Sequence, residues 1–422
     1  MKQIFFALLL FLICSTAVVN AADGLSTQIE SLLFRPIYAE TQWGVFIYSL
    51  TYDSVIYSCN AERLFVPAST MKLFTSAAAL DSLGPDYRFE TAFLADGALD
   101  SAGTLWGDLI VRGSGDPTFR NHNGSNGAPT PFQQIADSLW QHGLRKIQGR
   151  IVGDARAWPR ELPCPSWQIG DLQEDWAPIT GALSLNRNDQ IGDSSLFSVM
   201  ETHANSSAVF VPSPTFSFLV DFQRALRNDG IWISQNTDEK LRAHATATMY
   251  VHESAPLSEI LKQMNKKSDN FCAEQLALVL GQGSREQGLE VVSQFLTRAG
   301  MDTLQMRLAD ASGISRENLL SPAMIVQLLR YMHTHRFANE YKESLAVMGM
   351  DGTLGSRFVG APGVEVRAKT GTLDYVSALS GYMKTEAGEE IAFSFLCNNF
   401  LVSNQTIQQV QDSLCRLVAK ER

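Results

Sequence analysis

A serine and a lysine three residues apart, Ser69 and Lys72, sit in the run Pro67-Ala68-Ser69-Thr70-Met71-Lys72-Leu73-Phe74, which continues through alanines to Leu80. Three residues is nearly one helical turn, so both side chains share a face. A neutral amine one turn from a hydroxyl can take its proton and make it a nucleophile. The N–H groups of a helix start suit a developing oxyanion. The same pair also describes an exposed helix start, and spacing alone does not separate the two readings. Lys369-Thr370-Gly371-Thr372 is the second candidate, and the chain has no other Lys followed by Ser or Thr and then Gly. Its lysine and threonines can grip a carboxylate, Gly371 lets a substrate backbone lie close to a strand, and the Thr372 N–H can complete an oxyanion hole. A strand with a glycine bulge would read the same way. The third candidate is Ser-x-Asn, which begins at Ser58, Ser184, Ser234 and Ser268. Only Ser268-Asp269-Asn270 falls between two helical runs, where a short break can aim both side chains into a cleft.

The surrounding elements must hold these residues. Gly44–Leu50 and Val55–Ser58 are β-rich and form a hairpin turning at Asp53-Ser54. A helix opens at Pro67 and stops near Gly84-Pro85. Val364–Leu373, Val376–Thr385 and Glu390–Cys397 read as three further strands, followed by a helical tail, Thr406–Lys420. The expectation is an α+β fold with one antiparallel five-stranded sheet drawn from both chain ends and flanked by helices. Leu257, Ile260, Leu261 and Met264 mark a helix by their spacing. Residues 257–281 and 287–300 are expected to be helical, and Ser321-Pro322 opens another helix to His333. Residues 86–250 alternate short strands with isolated helices among Gly, Pro and Asn turns. The predicted organisation is therefore a discontinuous domain, 22–85 and 245–422, interrupted by an inserted mostly-β accessory domain, 86–244.

Composition narrows the function classes. A chain of 422 residues exceeds one ordinary domain. With 45% apolar residues it can build a sizeable core. A net charge of −10 excludes a nucleic-acid-wrapping surface, which must be basic. Lys2, the apolar run Ile4–Cys14 and Val19-Asn20-Ala21-Ala22 describe a secretory signal peptide, residues 1–21, cut after Ala21 or Ala22. The expected location is thus outside the cytoplasm, in the periplasm, with no transmembrane anchor in the mature chain. The five later cysteines include no CxxC, so a zinc site is not indicated; the sequence leaves room for one bridge at most, such as Cys397 with Cys415, and does not decide whether any forms. His333 and His335 are two apart and point to different faces of a helix. No metal and no other cofactor is called for.

In the order Ser-x-x-Lys, Ser-x-Asn, Lys-Thr-Gly, the three motifs form the trio of penicillin-binding proteins and class A β-lactamases. Further stretches extend the likeness over nearly the whole mature chain: Gly107-Asp108-Leu109, Gly113-Ser114-Gly115-Asp116-Pro117, Met264–Asn270, Asp310-Ala311-Ser312-Gly313, Asp351-Gly352-Thr353-Leu354 and Ala368–Leu373. The sequence resembles the class C low-molecular-mass penicillin-binding proteins, the D-alanyl-D-alanine carboxypeptidase/endopeptidase family, with their penicillin-binding/serine β-lactamase-like domain. That resemblance implies Ser69 as the acylated nucleophile, Lys72 as its base and Ser268 as the proton relay to the leaving amine. Asn270 would hold the substrate amide, and Lys369 with Thr370, Gly371 and Thr372 the terminal carboxylate. Asp171, Trp176 and Arg316 match the family's pocket for the diamino-acid side chain. The implied partners are peptidoglycan stem peptides and covalent β-lactam inhibitors. Lys72 must lose its proton near neutral pH, and desolvation together with a nearby Lys369 cation would push it that way. Two departures stand out: Ala311 replaces the usual glycine, and Asp374 stands where some relatives carry a neutral polar residue.

Two other readings compete. A β-lactamase needs fast deacylation, assigned in class A enzymes to a glutamate acting through water. Here residues 73–267 separate the first two motifs, much more than in that class, and no motif places a glutamate among them. A non-catalytic wall-binding relative would be marked by loss of Ser69, Lys72 or Lys369, and all three are present.

Overall fold

Both ends of the chain contribute strands to one sheet. The structure, a computed structural model, describes residues 24–120, 129–155, 158, 163–174, 176–187, 214–240, 245, 247–357 and 364–422, and the expected signal segment lies outside them. The chain divides into two compact units. One is Met1–Thr70 with Leu319–Ala338 and Leu345–Arg422; the other is Met71–Asn318 with Asn339–Ser344.

The first unit holds a six-stranded sheet in the order Ala346–Val347, Glu365–Leu373, Val376–Lys384, Glu390–Asn398, Gln42–Ser49, Ser54–Cys59, with every neighbour antiparallel. Five strands are those expected. The sixth is a two-residue edge, too short to carry a readable period. Alternation along the strands sends Trp43, Val45, Ile47, Leu379, Phe393 and Phe395 to one face. There they pack with Ile407, Val410 and Leu414 of the C-terminal helix Asn404–Glu421 and with Leu25, Ile29 and Leu33 of helix 24–33. The other face carries the helix Pro322–His333, whose Leu329 carbonyl accepts a hydrogen bond from the Tyr382 hydroxyl at 2.7 Å. Small residues make room for it. A Cβ on Gly44 would sit 2.4 Å from the Phe65 ring and 2.8 Å from Pro322. Cys397 and Cys415 are both buried beneath the sheet as free thiols, packing as small apolar groups, and they form no bridge.

The second unit contains a seven-stranded mixed sheet. Its main path runs Trp232–Ile233, Lys146–Ile147, Thr104–Arg112, Glu90–Leu99, Ala247–Glu253, and Ile151–Asp154 and Asp238–Lys240 extend it beside Thr104–Arg112. The run Ile147–Val152 breaks into two strands at Gly149, where a Cβ would lie 2.4 Å from the Gly107 carbonyl oxygen. Helices Pro131–Gln141 and Pro214–Asn228 cover one face through a phenylalanine-rich core of Phe93, Phe119, Phe132, Phe218 and Phe222. The rest of the unit is helical: Lys72–Leu83, Leu257–Lys267, Asn270–Leu280 and Arg285–Arg298. Lys72–Leu83 is buried from Lys72 through Leu80, so it is a core helix whose polar groups need internal partners. Asn265 supplies one by donating to Ser76 at 2.8 Å, and the Tyr341 hydroxyl donates to the Leu73 carbonyl. Among the described residues no helix is long and apolar enough to cross a membrane.

Candidate active site

In the first unit Ser69 lies on a short 3-10 turn, Ala68–Met71, half-buried. The Pro67 carbonyl anchors that turn by accepting from both the Thr70 hydroxyl, at 2.7 Å, and the Thr70 N–H, at 3.3 Å. Ala68 carries a φ of +46°, a left-handed conformation that costs a non-glycine residue about 1 kcal/mol or more and recurs where a reactive group must be aimed. The strand bearing Lys369-Thr370-Gly371-Thr372 runs directly against this turn. A Cβ on Gly371 would stand 2.7 Å from the Pro67 carbonyl oxygen and 3.1 Å from the Ala68 Cβ. Glycine is therefore required by close packing within the site's own scaffold. Lys369 is fully buried and donates to the Thr370 carbonyl at 2.8 Å. The Thr370 hydroxyl donates to Thr353 at 2.8 Å, which gives the Asp351-Gly352-Thr353-Leu354 stretch a positioning task. Thr372 is exposed on the same strand.

The second unit begins at Met71, and Lys72 is its first candidate site residue. The Lys72 side chain is wholly buried. Its Nζ donates to Asn270 Oδ1 and to the Ser312 carbonyl, both at 2.6 Å. Burial lowers its pKa to about 8, while the carboxylates of Asp310, Glu274 and Asp269 act the other way. Desolvation is thus the source of the lowering, and no neighbouring cation is needed for it. At that value about a tenth of the amine is neutral at pH 7.

Ser268 and Asn270 owe their places to two helices that abut almost without a loop. Ser268 closes Leu257–Lys267 in the left-handed conformation, φ +59°. Asp269 caps the next helix by accepting from the Cys272 N–H at 3.2 Å, and Asn270 is that helix's first residue. The Asp269 carboxylate, itself buried, pairs with Arg187 at 2.5 Å and lies 3.8 Å from Arg120. Asn270 bridges two partners: its Oδ1 accepts from Lys72 and its Nδ2 donates to the Trp176 carbonyl at 2.8 Å. Trp176 thereby joins the cluster through its backbone, with its indole exposed. The Asp171 carboxylate accepts locally from the Gln168 N–H at 2.8 Å, and Arg316 is half-buried in the segment that follows Ser315.

The supporting tasks of two residues, Glu274 and Asp310, escaped the sequence reading. Glu274 is fully buried; one carboxylate oxygen accepts from the Ala311 and Ser312 N–H groups at 3.0 and 2.9 Å, the other from Arg285 at 2.9 Å. Burial and the nearby Asp310 push its pKa up, and Arg285 and the Ser312 contact pull it back. Asp310 accepts from Trp167 Nε1, the Gly313 and Ser315 N–H groups and the Asn318 amide, all within 2.8 Å. Together Glu274 and Asp310 fix the loop whose Ser312 carbonyl holds Lys72. The sequence did carry one signal: Glu274 is the only acid in the helix Asn270–Leu280, which apart from Asn270 and Gln275 is otherwise apolar. Among the described residues no group of three or more His, Cys, Asp or Glu side chains is arranged to hold a metal ion.

The first unit thus holds the Ser69 turn packed on the Lys-Thr-Gly strand, and the second unit, taken by itself, holds a buried lysine hydrogen-bonded to an Asn. The chain is 27% identical over 481 residues to the D-alanyl-D-alanine carboxypeptidase of Actinomadura sp. (strain R39), covering 96% of this chain and 87% of that one. It is similar in fold to penicillin binding protein 4 (dacB) from Haemophilus influenzae, with a TM-score of 0.77 at 24% identity over 93% of this chain and 99% of that one. A second structure of that protein, complexed with a β-lactam, matches with a TM-score of 0.70 at the same identity and coverage. The penicillin-binding/β-lactamase-like fold expected from the motifs is the fold of the chain. The profile of the D-Ala-D-Ala carboxypeptidase 3 (S13) family matches residues 25–199 and 198–421, so the chain belongs to that family.

Proposed function

We propose that this chain is a serine DD-peptidase of peptidoglycan that removes the terminal D-Ala from stem peptides and cleaves D-Ala–diamino-acid crosslinks. The observation that carries the reading is Lys72: fully buried, lowered to about 8 and hydrogen-bonded to Asn270, one helical step beyond Ser69. In acylation the neutral Lys72 amine takes the Ser69 hydroxyl proton as Ser69 Oγ attacks the penultimate D-Ala carbonyl carbon. The negative charge on the carbonyl oxygen is met by backbone N–H groups of Ser69 and Thr372. The C–N bond then breaks, and Ser268 passes a proton to the departing amine. The Lys72 ammonium restores the Ser268 proton and is neutral again. It then takes a proton from water as the water oxygen attacks the ester, and that proton goes to Ser69 Oγ as the ester C–O bond breaks. Lys369, Thr370 and Thr372 bind the terminal carboxylate, Gly371 lets the substrate backbone lie along the strand, and Asn270 holds the substrate amide. Asp171, Trp176 and Arg316 form the pocket for the diamino-acid side chain.

The same reading makes the chain a target of covalent β-lactams and an exported protein, supported by the signal-like residues 1–21. It also treats 86–244 as an accessory domain inserted into 22–85 and 245–422, supported by a second sheet that draws its strands from residues 90–253. The test is to label the mature protein with a fluorescent penicillin and to assay D-Ala release from pentapeptide muropeptides, with Ser69→Ala in parallel. Stable label and D-Ala release on the wild type alone are expected. No label on the wild type, or equal label on the variant, would sink the reading. Rapid loss of label without D-Ala release would point to a β-lactamase.

A further inference from the structure

Four of the seven tryptophans are exposed, and three of these, Trp106, Trp140 and Trp232, gather on the second sheet and its margin. Strand register explains two of them. Thr104, Lys146 and Trp232 are aligned across three neighbouring strands, as are Leu105, Ile147 and Ile233. The second set is buried against the phenylalanine core, so the first set faces water, and Trp106, two residues beyond Thr104, faces water with it. Trp106 and Trp232 are 60% and 52% exposed. They stand on strands two apart and are offset by one pleat repeat, which separates them by roughly 12 Å.

These indoles are held in place. Trp106 Nε1 donates to Asp100 at 2.8 Å, Lys146 Nζ lies 4.5 Å over the Trp232 ring, and the Arg145 guanidinium lies 3.8 Å over the Trp140 ring. Arg145 donates to the backbone carbonyls of Trp140 and Leu144, and among the described residues neither Arg145 nor Lys146 has a carboxylate partner. The chain as a whole carries ten excess negative charges. A set of oriented flat indoles beside two unneutralised cations is unusual on such a surface and marks an interaction site.

We propose that this face binds the glycan strand of peptidoglycan, with sugar rings stacked on Trp106 and Trp232 and with Lys146 facing the carboxylates of the stem peptides. Two observations favour a glycan over a lipid surface. The indoles are pinned by polar partners at their edges or by cations on their faces, which suits stacking and not insertion. The patch also includes the Asp100 carboxylate, which anionic headgroups would repel. The inference rests on the proposed peptidoglycan substrate but involves none of the residues assigned to the reaction.

The test measures binding of the full mature chain to peptide-free glycan strands and to the N-acetylglucosamine tetramer by calorimetry and tryptophan fluorescence. Wild type is compared with Trp106→Ala/Trp232→Ala and with Lys146→Glu. Expected results are saturable binding by the wild type, at least tenfold weaker binding by the double variant, and unchanged binding of peptide-free glycan by Lys146→Glu with loss on intact, peptide-bearing sacculi. Fluorescent-penicillin labelling should stay within twofold of wild type in both variants, which reports that they fold. If the double variant loses label, Trp106→Phe and Lys146→Glu carry the comparison. No binding of peptide-free glycan by the wild type overturns the proposal, as does equal binding by the folded double variant. Binding to anionic vesicles or self-association through this face, without glycan binding, also overturns it. Failure of D-Ala release with glycan binding intact would instead remove the proposed activity and leave the surface standing.

Discussion

The surroundings of Lys72 and the tryptophan face of the second sheet belong to the same unit and follow opposite rules. Around Lys72 the polar groups are buried and tightly engaged: Asn270 uses both ends of its amide, and Glu274 accepts three hydrogen bonds. On the sheet face aromatic rings stand in water, held by single contacts at their edges or by cations on their faces. A buried network sets a protonation state, because desolvation moves pKa values by units. An exposed platform changes no protonation state and works by area and shape. The first should therefore be intolerant of substitution and control rate, and the second tolerant and in control of engagement with a large substrate.

The largest effect expected from this contrast is at Lys72. Lys72→Met should lower the rate of penicillin acylation about 10³-fold, in the range for removing a positioned base, and leave the Tm no lower than wild type because a buried cation has been removed. Stopped-flow acylation and thermal unfolding check both parts. Glu274→Gln comes next. It leaves Arg285 buried without its counter-charge, a loss on the order of 3–5 kcal/mol, and should slow acylation about 10-fold or more. Because the Glu274 charge raises the Lys72 pKa, the variant's pH midpoint should move below that of wild type, a shift that simple loosening of the loop would not produce. For the wild type, acylation should rise as pH increases and level off above a midpoint near 8, giving about a tenfold gain from pH 7 to the plateau. The sign for stability agrees. A lysine at about 8 when folded and 10.5 when unfolded means that the unfolded chain binds more protons in that window, so this group's cost fades as pH rises through it. The smallest effect is expected at Trp106→Ala. Turnover of soluble pentapeptide should stay within twofold of wild type, and a larger fall would erase the distinction between the two regions.

How much of this was legible in the sequence depended on where each partner lies. The first sheet could be read because its strands run six to nine residues as β-rich segments bounded by turns, at Asp53-Ser54 and Glu386-Ala387-Gly388 among others. Its two-residue edge, Ala346–Val347, could not. The second sheet was hidden for the same reason: Lys146–Ile147 and Trp232–Ile233 gain meaning only from pairing with distant strands. Ser268-Asp269-Asn270 was singled out by its place between helical runs, which reflects a helix end and an Asp cap written in local residues. The task of Glu274 was not local. It depends on two N–H groups nearly forty residues away in sequence, at Ala311 and Ser312, which no periodicity connects to it. Asn270 was expected to hold substrate, and its contact with the Lys72 ammonium was not foreseen. The lowering of Lys72 was expected from burial and a neighbouring cation together, and burial accounts for it against opposing carboxylates.

The buried thiols give each unit its own clock. Cys272 lies at the centre of the second unit, and Cys397 and Cys415 lie under the first sheet, all unbridged and all pushed upward by burial. A thiol in that state is inert to oxidants and alkylating reagents until its surroundings open. In an oxidising compartment the fold itself would protect these cysteines from mispairing. Timed alkylation followed by peptide mapping would then report, residue by residue, how often each unit breathes and which of the two yields first.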